Sequence, residues 1–343
     1  MHNALYSIVG IHLMTKYLVL TFLLISLFKV NGQCDKDLDM FKHFQITSEK
    51  DTINYHIYSK IGMDSVSNVL LYVQGSGAFP LYQIKREGKS LWQSGVPFDL
   101  QTITNEFAFV LISKRGIPFC TKFGEPYNVP KIYYDNESLE NRANRVSRVI
   151  DELFTINLVN PNKIVVIGHS EGSDVVAKLG TINDKITHIG YWAGGANTQW
   201  FDFTLFIRKE VLKGKITEEQ AATRMDSLFV KFKEIVTKPD STDDFWEDNS
   251  YRRWYKFSEP PIENLLKINV PIFVAHGTED QAVPIESVYL IPIEFIRHNK
   301  NNLTFKVYPD LDHGFEKELE NGEFEDHWDD VFREFMDWVI KTE

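Results

Sequence analysis

Gly168-His169-Ser170-Glu171-Gly172 is the stretch of this chain that most directly implies chemistry. It follows an apolar run, Lys163 to Ile167, and leads into a helix-like stretch from Ser173 to Leu179 that ends at Gly180. At such a strand-to-helix junction the serine sits on a sharp, strained turn, and glycines two residues either side keep Cβ atoms out of the crossing. A serine hydroxyl is a poor nucleophile until a base takes its proton, so a carboxylate and a histidine must follow, in the order Ser, Asp or Glu, His. Two loops supply them. Val270 to Asp280 is an apolar run ending in Glu279 and Asp280, and Tyr308 to Phe315 carries Asp310, Asp312 and His313. His169 and His276 are rival bases, the first locked beside the serine and the second in a strand-end turn.

These groups need a scaffold that brings distant loops together. Short apolar, β-branched runs at Val69–Val73, Phe107–Ile112, Ile164–Ile167, Ile186–Trp192, Ile272–Ala275 and Leu303–Val307 suit parallel strands covered on both faces. Between them lie helix-like stretches at Ser138–Leu153, Ser173–Leu179 and Glu325–Ile340. The alternation predicts an α/β fold, a doubly wound, mostly parallel sheet. Phe44–Ser59 alternates in polarity and predicts an antiparallel hairpin at the sheet edge. Each candidate catalytic group then leaves the carboxyl end of a strand, where α/β sheets place their sites.

This arrangement resembles the α/β-hydrolase family over nearly all of the chain after residue 32, with its motifs standing as GHSEG, HGTEDQAVP and DLDHGF. The resemblance implies a triad of Ser170, Asp280 and His313. It also implies an oxyanion hole of backbone N–H groups, one from Glu171 and the other from the segment Gln74-Gly75-Ser76-Gly77. Relatives often have His-Gly there and Gln74 replaces the His, so Ser76 is the first choice of donor and Gly77 the second. Lys114 and Arg115, after the fourth strand, either set a cation near a substrate carboxylate or are solvated.

The residues from Asn197 to Pro261 hold no convincing strand and many aromatics, which predicts a helical cap inserted between core segments 33–196 and 262–343. Trp200, Trp246 and Trp254 are its candidate substrate contacts, because acyl cavities are mostly apolar.

Composition narrows the partners. With 343 residues, 43% of them hydrophobic, the chain can bury a large core, and a formal charge of −11 argues against a nucleic-acid binder. No phosphate loop, dinucleotide fingerprint or metal motif is present, so no cofactor and no metal is expected. Residues 1–32 read as a cleavable signal peptide: Lys16 precedes the apolar run Tyr17 to Phe28, and Val30-Asn31-Gly32 follows. Twelve helical residues cover about 18 Å of a roughly 30 Å hydrocarbon core, which disfavours a membrane anchor. The protein is therefore expected to be secreted or periplasmic, without stable membrane insertion after cleavage. That compartment permits a Cys34–Cys120 disulfide, although two buried thiols fit equally.

The expected activity is cleavage of a carboxylic ester, in a small-molecule or oligomeric acyl substrate, through an acyl-enzyme. A peptidase or aminopeptidase of prolyl-oligopeptidase type is the alternative, since GHSEG occurs there too. Such relatives usually carry a propeller, which the roughly 35 residues from Gln33 to Asn68 cannot form. A non-catalytic binding module on the same fold is the third reading.

Overall fold

The apolar runs form consecutive strands of one sheet in the computed structural model, which describes residues 38–49, 51–63, 66–84, 91–92, 95–97, 99–124, 127–155 and 162–342. The strands are β1 (Phe41–Thr47), β2 (Thr52–Tyr58), β3 (Asn68–Val73), β4 (Phe107–Ile112), β5 (Lys163–His169), β6 (His188–Trp192), β7 (Ile272–Gly277) and β8 (Leu303–Tyr308). Their order across the sheet is β1-β2-β4-β3-β5-β6-β7-β8. Strands β3 to β8 run parallel, and the β1–β2 hairpin completes one edge antiparallel to β4. The signal-peptide segment and Cys34 lie outside the described residues.

Burial on both faces explains the unbroken apolar runs. In β3, Val69, Leu71 and Val73 join one core, and Leu70 and Tyr72 join the other; in β5, Ile164 and Val166 part from Val165 and Ile167 in the same way. The first core is closed by α2 (Leu139–Thr155) and α3 (Glu171–Leu179), which follow the short α1 (Lys131–Asn136). The second is closed by the C-terminal helix through Val331, Phe332, Phe335 and Val339. That helix begins at Trp328 rather than Glu325, because Phe324–Asp326 pairs with Glu316–Glu318 as a short hairpin and Asp326 accepts the Trp328 N–H at 2.8 Å.

Between β6 and β7 the chain leaves the sheet as α4 (Gln199–Leu212), α5 (Glu218–Thr237), α6 (Tyr251–Lys256) and α7 (Pro261–Leu265). A capping box of Thr217 and Gln220 starts α5. The segment is helical apart from a two-residue hairpin, Phe245–Trp246 with Asn249–Ser250, which corrects the expectation of no strand. After β7 come α8 (Ile285–Val288) and α9 (Leu290–Arg297), and after β8 the closing helix α10 (Trp328–Lys341). No helix among the described residues is long and apolar enough to cross a membrane.

Candidate active site

The order in which strands are added across the sheet switches sides at β3, whose parallel neighbours are β4 on one side and β5 on the other. The crevice at their carboxyl ends is where doubly wound sheets bind ligands. Ser170 stands there on the turn from β5 to α3 with φ 57° and ψ −129°, a conformation that costs a residue other than glycine on the order of 1–3 kcal/mol. The surroundings hold it in place. Its N–H donates to the Trp192 carbonyl at 3.0 Å, and its own carbonyl accepts from the Ser173 N–H at 2.9 Å and the Ser173 hydroxyl at 2.5 Å. A Cβ on Gly168 would fall 2.0 Å from the Gly172 carbonyl oxygen, and one on Gly172 would fall 2.1 Å from the Val73 carbonyl oxygen. The two glycines of the motif are required by this crossing.

His313 and Asp280 meet across the ends of β8 and β7. His313 Nδ1 lies 2.8 Å from Asp280 Oδ2, while Asp280 Oδ1 accepts the backbone N–H groups of Ala282 at 2.7 Å and Val283 at 2.8 Å. Burial works to raise the Asp280 carboxyl, but the hydrogen bond from His313 and the neighbouring imidazoles outweigh it and hold the group below its ordinary value. Glu279 is exposed and does not take this place. Asp312 shapes the His313 turn by accepting from Gly314 and Glu316 N–H, and Asp310 pairs outward with Lys317 at 2.9 Å.

The rival histidines have other partners. His169 contacts the His313 carbonyl at 2.9 Å and lies edge-on to Trp328; burial, then the His313 charge, lowers it to about 3. His276 is wholly buried beside the Val283 carbonyl, and burial lowers it to about 4. Both are neutral packing groups at neutral pH.

A cavity of about 280 Å³ joins Ser170 and His313 to Ser76, Ala282 and Val283 of the core and to Asn197, Gln199, Asp202 and Arg253 from the segment between β6 and β7. The loop after β3 passes close to the serine, since a Cβ on Gly75 would lie 3.1 Å from Ser170 Cβ. Lys114 Nζ donates to the Gly75 and Gly77 carbonyls, each at 2.5 Å. The N–H across a trans peptide points opposite to the carbonyl, so holding the Gly75 carbonyl turns the Ser76 N–H the other way. Gly77 has φ 81°, faces the Phe79 ring and does not line the cavity. Lys114 thus serves the loop from inside, and burial, with Arg142 next, lowers its ammonium to about 7.

Glu171 presents its backbone N–H in the first turn of α3, where helix N–H groups lack intrahelical partners. Its side chain is buried between two arginines: Oε1 accepts from Arg142 at 2.6 Å and Oε2 from Arg253 Nε at 2.6 Å and from Arg253 NH2. Burial opposes its ionisation, but Arg253 and then Arg142 more than compensate, so the carboxyl stays ionised. Arg142 also donates to the Gln74 carbonyl, which ties the Ser170 turn to the loop after β3.

Trp200, Trp246 and Trp254 do not reach this cavity, which corrects the expectation that they contact substrate. Trp254 is 3% exposed and packs against Trp246 and Phe203, donating its indole N–H to the Trp246 carbonyl at 2.7 Å; Trp200 stacks on Phe232. The inserted helices need an apolar core of their own, and these rings form it. The wall they leave to the cavity is polar. Asp174, Asp202, Arg142 and Arg253 carry no motif, although Arg142 falls in the apolar stripe of α2 between Leu139 and Ala143 on one side and Val146 on the other, a position that itself signals a buried ionic partner.

Strand order, the strained serine after β5 and the meeting of β7 and β8 loops define the α/β-hydrolase fold, and the chain is an α/β hydrolase by fold. Residues 249–342 match the dienelactone hydrolase family. Est1E from Butyrivibrio proteoclasticus superimposes with a TM-score of 0.50 at 15% identity, over 88% of this chain and 99% of that one. The acylaminoacyl peptidase of Pyrococcus horikoshii gives 0.54 at 13% identity over 88% of this chain, which corresponds to 41% of the peptidase. A 2,6-dihydroxy-pseudo-oxynicotine hydrolase gives 0.52 at 14% identity, over 88% and 68%. No curated protein matches the sequence.

Proposed function

We propose that the protein is an exported serine hydrolase that cleaves a carboxylic ester through an acyl-enzyme. The observation that carries this reading is the opening of Ser170 and His313 into one cavity while Asp280 holds the far side of the imidazole. In this reading Ser170 Oγ attacks the acyl carbon as His313 Nε2 takes its proton, and Asp280 stabilises the resulting imidazolium. The N–H groups of Glu171 and Ser76 receive the oxyanion, with Lys114 setting the direction of the second. His313 then protonates the leaving alcohol, and a water deprotonated by the same imidazole releases the acid. Export is supported by the apolar run at residues 17–28, preceded by Lys16 and followed by Val30-Asn31-Gly32.

The test compares kcat/KM for p-nitrophenyl esters of increasing chain length with that for aminoacyl p-nitroanilides. Ester turnover dependent on Ser170, well ahead of the anilides, is the expected result. Anilide cleavage with esters far behind would replace the esterase by the peptidase reading.

A further inference from the structure

Four charged side chains line the Ser170 cavity besides His313, and they are not equivalent. Glu171 and Arg253 neutralise each other, Arg142 reinforces the pair from below, and the remaining Arg253 nitrogen, NH1, donates to Gln199 at 2.9 Å. That leaves Asp174 and Asp202. Among the described residues neither forms an ion pair with a cationic side chain. Tyr191 lies 3.4 Å from Asp174 Oδ1, but its single phenolic hydrogen goes to the Gly195 carbonyl at 2.6 Å. Asp202 is 3% exposed; the Ser287 hydroxyl lies beside its carboxyl, but Oδ1 has no hydrogen-bond partner.

We infer that Asp174 and Asp202 form a subsite for a positively charged nitrogen, and that the substrate is an acyl compound bearing an ammonium group. This rests on the reading of Ser170 as the nucleophile. A buried carboxylate without an ion-pair partner is strongly destabilising, and an ammonium supplies the opposite charge together with three N–H donors. A hydroxyl would satisfy an acceptor without balancing the charge. Burial raises the Asp202 carboxyl to about 7, and burial followed by the Glu171 charge drives Asp174 well up against the opposing Arg253 charge; a bound cation lowers both. The cavity of about 280 Å³ holds a short chain between the serine and this wall. Asp202 reaches it from α4 and Asp174 from α3, so the subsite is closed only when the insertion is docked.

The experiment measures kcat/KM at pH 8 for the p-nitrophenyl esters of 3-aminopropanoate and butyrate, equal in length and differing in a terminal ammonium or methyl. Wild type should prefer the ammonium ester by about tenfold or more, the ratio given by roughly 1.4 kcal/mol of differential binding. In Asp202→Asn and in Asp174→Asn the ratio should fall to about one. Equal or faster turnover of butyrate by wild type, an unchanged ratio in both variants, or a 3-hydroxypropanoate ester matching the ammonium ester would each overturn the inference. Should the variants fail to fold, wild type alone decides: propylammonium chloride must inhibit acetate-ester hydrolysis competitively where sodium chloride of equal ionic strength does not. Failure of the inference leaves butyrate hydrolysis that Ser170→Ala abolishes. Hydrolysis that survives Ser170→Ala defeats the serine mechanism and the subsite with it.

Discussion

Glu171, the residue after Ser170, is bonded through Oε2 to Arg253 Nε at 2.6 Å, 82 residues further along the chain. Through this contact the insertion grips the turn that carries Ser170. Both side chains are almost completely buried. Arg142 still holds Glu171 Oε1 when Arg253 is lost, so the cost is below the roughly 3–5 kcal/mol of a fully stranded buried charge. Arg253→Leu should lower the urea midpoint, Glu171→Gln should lower it further because it leaves Arg253 and Arg142 both without a counter-charge, and the double variant should lose less than the sum of the two. Strictly additive losses in that cycle would show that the two residues act independently.

Lys114 offers a second test, because its two short bonds to the Gly75 and Gly77 carbonyls act on the direction of the Ser76 N–H and touch no substrate. Lys114→Met should lower kcat by on the order of 10²-fold, the effect of losing one oxyanion donor, with KM changed by less than about threefold. A rise in KM at constant kcat would assign Lys114 to substrate binding instead.

Asp202 makes stability depend on pH in an unusual direction. Its folded-state carboxyl titrates at about 7, against 3.8 for the free group, so the folded state keeps a proton that the unfolded chain has already released between those values. Its contribution is present below about pH 4 and is lost as pH rises through 7. Asparagine has no charge to bury. Asp202→Asn should thus melt higher than wild type at pH 8, with the gap closing by pH 5, in thermal scans at both values. A gap independent of pH would contradict the assignment.

The inner parallel strands were legible because they are covered on both faces and so read as apolar runs; the strand beginning at Ile272 and the helix ending at Leu179 lie where the patterns place them. The serine turn was legible for a steric reason, visible in the 2.0 Å and 2.1 Å approaches that a Cβ at Gly168 or Gly172 would make. Gly172→Ala should accordingly reduce soluble yield and melting temperature sharply, as circular dichroism would register. The polar wall was not legible. Its pairs join residues 29 and 82 positions apart, a separation that no local pattern encodes. The tryptophans of the insertion misled because aromatic density signals burial without saying which surface is buried, and here Trp246 and Trp254 bury each other.

The proposed chemistry makes Ser170 the nucleophile and His313 its base, oriented by Asp280. The most direct measurement is intact-protein mass spectrometry after incubation with a fluorophosphonate, with peptide mapping of the adduct. Wild type should gain one phosphonyl group at Ser170, Ser170→Ala none, and His313→Ala should label at least about a hundredfold more slowly, as loss of a general base implies. An adduct on another residue, or equal labelling of wild type and Ser170→Ala, would rule out Ser170 as the nucleophile.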